Sequence, residues 1–150
     1  MLSQSDMLKG IRAFTLRSIE TLSDEQLLKI PEGFNNNILW NLGHMVSSHQ
    51  GILYRRQGLD GYVSSDFVEN FKNGSSPKDW ESTPDINEVK RLATELPEKF
   101  DKDVEAGVFE DFKAWDLMGN EISSVTDAET FNTFHEGLHY GTILALRKLV

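Results

Sequence analysis

From Thr126 to the last residue the chain contains no proline, and Phe131, Leu138, Ile143, Leu146 and Leu149 fall on one side of a helical wheel. That is the pattern of an α-helix with one buried face, and a helix of this kind must find partners for its apolar stripe. Thr126-Asp127-Ala128-Glu129 opens it with the pattern of a capping box. Three further segments offer partners. The first runs from about Ser5 to Thr21, with Ser3 or Ser5 as its cap and Met7, Ile11, Phe14 and Ser18 on one face. The second, NNILWNLGHMVSSHQGILYRRQG, starts after an Asn run and ends near Gly58. The third starts at STPDINEV, where Thr83 caps and Pro84 suits the first helical position. It continues through Val89, Leu92, Leu96, Phe100 and Val104, with Pro97 inside it as an expected kink.

Three connections complete the outline. Ser23 and Gln26 form a capping box for a short helix that Pro31-Glu32-Gly33 stops. Residues Gly58 to Ser82 make a long Gly/Ser-rich crossing with one helical turn expected at Phe67 to Phe71; connections of that length are usually functional or mobile, so it is a candidate lid. Between Glu110 and Val125, Gly119-Asn120 separates two short mixed runs and predicts a small β-hairpin. Four long helices and one hairpin predict an all-α four-helix bundle, and the long crossing permits other than simple up-down order.

At 150 residues the chain reads as a single domain, 1–150, able to bury about two thirds of its unfolded surface. It has no cysteine, which excludes disulfides, thiolate nucleophiles and Cys-based zinc sites, and leaves His and carboxylates as metal ligands. No export signal and no apolar run of about 18 residues is present, so no membrane association and a cytoplasmic location are expected. The 15 Lys and Arg against 24 Asp and Glu give a net charge of -9, which repels phosphate backbones and argues against nucleic acid as a partner.

His135, Glu136 and His139 stand in the order H-E-x-x-H, the pattern with which zinc peptidases hold their metal and place a general base. With His135 at zero on a helical wheel, Phe131, Leu138, His139, Thr142, Ile143, Leu146 and Leu149 fall within roughly 80°, so both imidazoles are expected to face the core. Glu136 lies about 100° away, beside Glu129, Tyr140 and Arg147, where a surface carboxylate is the expectation. Extended zincin patterns want Gly at Thr142 and His at Ala145, and no edge strand precedes the motif to align a peptide; a zincin peptidase is not expected.

A third ligand must come from His44 or His49. His49 shares the apolar side of its helix with Ile38, Leu42, Met45, Val46 and Leu53, whereas His44 lies in a polar and small-residue arc with Asn37, Asn41, Ser48, Gly51 and Arg55. Periodicity alone does not choose between them. His44 is preferred because a catalytic site keeps an open position and needs small, cavity-facing neighbours, here Asn37, Asn41 and Ser48. Three imidazoles suit a divalent metal ion, Zn or Ni before Fe or Mn, which lowers the pKa of a bound water or thiol.

The segments ILWNLGHMVSSHQGILYRRQGL and FHEGLHYGTILALRKL, in this helix order, resemble the DinB/YfiT-like family of metal-dependent proteins. The resemblance implies a four-helix bundle of down-up-up-down topology over the whole chain, and a metal held by one His of the second long helix and a His-x-x-x-His pair of the last. By motif position these are His44, His135 and His139. It further implies activation of a thiol or water for S-transfer or hydrolysis on a small molecule, with a low-molecular-weight thiol as one cosubstrate class, and a homodimer. Phe67, Phe71, Trp80 and Trp115 are candidates for an interface, with core or lid packing the blander expectation for each. No thiol-binding residue carries over; Arg55 and Arg56 are the only basic groups nameable near the site. The competing reading is a non-catalytic bundle that binds a metal or ligand.

Overall fold

The computed structural model describes residues 3–150. Ser3 Oγ accepts the Asp6 N–H and the Asp6 carboxylate accepts the Ser3 N–H, closing a capping box at the start of α1 (Gln4–Ile19). The Ser23/Gln26 box forms as expected and starts α2 (Asp24–Leu28). Asn37 caps α3 (Ile38–Leu53), which runs through a 3-10 turn over Arg55–Gln57 to Gly58 in the left-handed region at φ 78°. The long crossing carries α4 (Ser65–Phe71), capped by Ser64.

Two helix starts differ from expectation. For α5 (Ile86–Glu105) the cap is Asp85, whose carboxylate accepts from both Asn87 N and Glu88 N, so Thr83 and Pro84 lie outside the helix. A carboxylate at the positive end of the helix dipole outcompetes the earlier Thr. For α6 (Val125–Leu146) Ser124 caps instead of Thr126, and the Asp127 carboxylate accepts from Ser123 and Ser124. Between α5 and α6, β1 (Trp115–Leu117) and β2 (Asn120–Ile122) pair antiparallel with Trp115 opposite Ile122. The turn is Met118-Gly119, one residue earlier than Gly119-Asn120, with φ of 53° and 87°. Two successive positive φ values match the twist of a hairpin.

Among the long helices, α3 packs on α6 and α5, and α1 packs on the same two, so α1 and α3 face each other across the bundle. The main core joins Leu42, Met45 and Val46 of α3 to Val89, Leu92 and Leu96 of α5 and to Ile143 and Leu146 of α6; a second cluster around Phe100 and Phe109 fills the end under the hairpin. The α5 helix is continuous through Pro97. Proline has no N–H for the Ala93 carbonyl one turn back, and Arg12 Nη1 donates to that carbonyl at a long 3.4 Å.

On α1 and α6 the buried faces are turned about one residue from the apolar stripes read in the sequence. Leu8, Arg12, Thr15 and Ile19 are buried on α1, while Met7 and Phe14 are exposed. On α6 the buried residues are Ala128, Asn132, Glu136, Ile143 and Leu146, while Leu138 and Leu149 are exposed. The cause is one ion pair. Arg12 donates through Nε and Nη2 to the two Glu136 oxygens at 2.5 and 2.7 Å, with the two side chains 2% and 0% exposed. Asn132 Nδ2 donates to the same carboxylate at 2.9 Å, and Arg12 Nη2 also reaches the Met45 carbonyl at 3.1 Å. Polar residues that satisfy one another enter the core, which reading apolar periodicity cannot foresee.

The crossing from Gly58 to Ser82 is fastened to the bundle rather than standing off it as a lid. Phe67 and Phe71 join the main core, and Trp80 packs edge-on against Phe71. Trp40 Nε1 donates to Ser75 Oγ at 2.9 Å, Trp80 Nε1 to the Asn70 carbonyl at 3.1 Å, and Ser76 Oγ to the Asn35 carbonyl at 3.1 Å. Phe67 and Phe71 are core, as the blander expectation for them has it, and are not available to an interface, while Trp80 and Trp115 are half-buried. No helix among the described residues is long and apolar enough to cross a membrane.

Candidate metal centre

The WNLGH segment builds one wall of the site. Gly43 lies directly under the Phe71 ring, and a Cβ there would overlap Cδ1 and Cε1 of that ring. The missing side chain lets α4 lie close on α3, and this approach brings the Phe71 carbonyl to His44 Nδ1 at 2.7 Å. The neutral ring therefore donates from Nδ1 and presents the lone pair of Nε2, towards which Ser48 Oγ lies at 3.1 Å. Trp40, one turn before His44, stacks on its imidazole with centroids 4.7 Å apart and planes 9° from parallel. Backbone carbonyl and indole together fix the ring's tilt.

The other wall is α6. His139 donates from Nδ1 to Asn41 Oδ1 at 2.8 Å, and Asn41 is held by giving its own Nδ2 to the Asn36 side chain and the Asn37 carbonyl. His135 packs beside Phe131, and its Nδ1 is buried with no hydrogen-bond partner among the described residues. The three rings converge, with centroid separations of 5.2 Å for His44 and His135, 4.6 Å for His44 and His139, and 4.7 Å for His135 and His139. Each offers one ring nitrogen, and the three nitrogens lie within 4.8 Å of one another.

Burial keeps all three uncharged. It holds His44 below its ordinary value, against the pull of the Phe71 carbonyl. His135 is lowered to about 4 by burial and by His44, and His139 to about 3 by burial, His44 and His135. At neutral pH the cluster is three neutral imidazoles crowded lone pair to lone pair, the protonation state in which imidazole binds metal. This group could hold a metal ion. The donors fit one: two rings are oriented by outer hydrogen bonds to a carbonyl and an amide, as metal-ligating histidines ordinarily are, and the third has a buried nitrogen left unpaired.

His49 is elsewhere. It is fully buried, with Gln50 Nε2 3.0 Å from its Nδ1, and it lies edge-on to Phe100 at 5.5 Å. Burial first, and Arg12 second, push its pKa well below the ordinary value. Glu136 is not at the surface beside Arg147 or Tyr140 but sealed in its pair with Arg12, so the second residue of H-E-x-x-H cannot reach a substrate as a base. Of the residues expected on the open side, Ser48 lines a hollow next to His44. Asn41 is 1% exposed and acts on His139, whereas Asn37 is consumed by its cap to Trp40 N and its bond to the Leu28 carbonyl. Trp40 orients His44 although no chemistry-bearing motif points to it; the signal is its spacing of four from His44 on a helix, which places the two rings on one face.

The family model described as the DinB superfamily matches residues 7–143, which takes in both motifs and every helix that forms the site. The chain belongs to the DinB superfamily. No curated protein matches it. Within this DinB-superfamily chain, α3 and α6 are direct packing neighbours, so helix packing rather than a loop sets the spacing of the three histidines. Sites carried on rigid elements hold their geometry better than sites on loops.

Proposed function

We propose that this chain is a metal-dependent enzyme in which His44, His135 and His139 hold a divalent ion, Zn or Ni by donor type, and that it acts on a small molecule by S-transfer or hydrolysis. The observation that carries the reading is the convergence of three neutral imidazoles within 4.8 Å, drawn from two helices, two of them braced by outer hydrogen bonds. When bound, the ion supplies Lewis-acid chemistry that lowers the pKa of a thiol or water.

The chain's own residues prepare that position. Phe71 O and Asn41 Oδ1 fix which nitrogen of His44 and His139 faces inward. Trp40 covers one face of His44 and shields it from water, while Ser48 stands on the open side as a hydroxyl able to accept from or donate to an incoming group. Half-exposed His135 and His139 leave the cluster reachable from solvent, whereas Glu136 is locked away.

The test is metal content by inductively coupled plasma measurement on tag-free protein, with His135→Ala and His139→Ala alongside, followed by a panel of thiol-transfer and ester substrates. Near-stoichiometric metal lost in both variants, together with turnover on the panel, supports the reading. Sub-stoichiometric metal at neutral pH overturns it; bound metal that only raises the melting temperature, with no turnover, favours a binding module instead.

A further inference from the structure

We propose that the groove running from Ser48 to Arg55 seats the carboxylate or phosphate group of a small-molecule substrate. The hollow measures about 430 Å³ and is walled by Ser47, Ser48 and Gly51 of α3, Arg55 and Arg56 of the following turn, and Lys72 just after α4. Every charged residue in its lining is a cation, in a chain of net charge -9. The hollows elsewhere mix carboxylates with cations: Glu95 and Glu98 beside Arg91, Lys99 and Lys102 in the one along α5, Asp66 and Glu69 beside Lys72 in the one beyond α4. A cationic pocket on an acidic protein is a local reversal of field that selects for an anion.

Two of the three cations are free of ion pairs among the described residues, and the third has only an exposed one. Neither Arg55 nor Arg56 has a carboxylate partner among the described residues. Arg56 lies 4.1 Å over the Trp115 ring, which orders its guanidinium while leaving its edge donors free. Lys72 pairs with Glu69 at 2.5 Å, but both are exposed and one turn apart, an interaction of small worth that an incoming anion can replace. The planar fork of Arg55 suits the two oxygens of a carboxylate or phosphate.

The hollow borders the histidine cluster through Ser48, which lines it and lies 3.1 Å from His44 Nε2. Ser48 and Arg55 are separated by about 10 Å of helix rise. The matching ligand carries its anionic group about that far from the atom that reacts. Gly51 forms the floor between them, and a Cβ there would meet nothing within 4 Å. The identity of the reacting end rests on the metal reading above; the anion seat does not.

The test titrates the full chain, treated with chelator, with sodium succinate and separately with inorganic phosphate, followed by ¹H–¹⁵N NMR against sodium chloride at matched ionic strength. Saturable shifts are expected in residues 47–56 and 68–73, and binding should weaken about tenfold in Arg55→Gln and in Gly51→Leu. Both variants should keep native amide dispersion, because Arg55 has no ion-pair partner and Gly51 has open space above it. The anion that saturates at lower concentration names the group. Shifts equal to those in chloride, or insensitive to both substitutions, overturn the proposal. Repeating the tighter arm with one equivalent of Zn(II) separates the two readings: anion saturation without zinc uptake retains the seat and counts against the histidine ligands.

Discussion

Arg12 and Glu136, 124 residues apart, meet as a two-point ion pair at 2.5 and 2.7 Å in the middle of the bundle. The carboxylate that a motif search would name a general base is thus the anchor that turns α6. Its neighbours on either side in the same helix, His135 and Gly137, are carried to the half-buried border by that rotation.

Removing one partner leaves an uncompensated charge in the core. Arg12→Met or Glu136→Met alone should cost about 3–5 kcal/mol in urea denaturation, and the double variant should recover most of that loss. Additive losses in the double variant would mean the two groups do not act as a pair.

Gly43→Ala should push α4 away, because its Cβ overlaps the Phe71 ring. About 1–3 kcal/mol of stability should go with it. Since the same movement withdraws the Phe71 carbonyl from His44 Nδ1, metal affinity should fall about 10–100-fold. Equilibrium denaturation and a competitive zinc titration read the two effects separately.

Asp103 on α5 gathers the Tyr54 and Tyr62 hydroxyls at 2.8 Å each and Lys99 Nζ at 2.6 Å, and so pins the start of the crossing to the bundle. Burial pushes its carboxyl up, but the hydrogen bonds from Lys99, Tyr54 and Tyr62 outweigh burial and hold it below the ordinary 3.8. A lowered folded-state pKa means stability that is present above the ordinary value and lost as pH falls through the folded one. Asp103→Asn should cost about 1–3 kcal/mol at pH 7 and flatten the acid limb of stability below pH 3.8. Urea midpoints from pH 7 to pH 2 check this.

Met118 holds φ of 53° at the hairpin tip with its side chain 94% exposed, so it bears left-handed strain with no packing in return. Met118→Asn installs the Asn-Gly turn that this geometry favours. An increase of about 0.5–1 kcal/mol, or roughly 2–3 °C in melting temperature, is expected by calorimetry.

Local chemistry was legible in the chain. Ser3, Ser23 and Asn37 cap where their side chains reach backbone donors a few residues on, and Gly119 turns the hairpin, because those interactions need no distant partner. The spacing of His135 and His139 likewise guarantees one helix face. How a helix is turned about its axis is another matter, and α1 and α6 show why: the faces expected to be buried include Phe14 and Leu138, yet both residues face solvent. Periodicity, caps and turn residues were enough for the helices, their approximate ends, the hairpin and the pairing of two histidines on one face. His44 is preferred from its small, polar arc and its motif position, and packing brings it to that pair; the burial of Arg12 with Glu136, and the aiming of the rings by Phe71 and Asn41, come from packing alone. A hydrogen bond between residues that are neighbours in the chain is encoded where they stand, whereas a buried ion pair exists only when packing has brought both halves to one place.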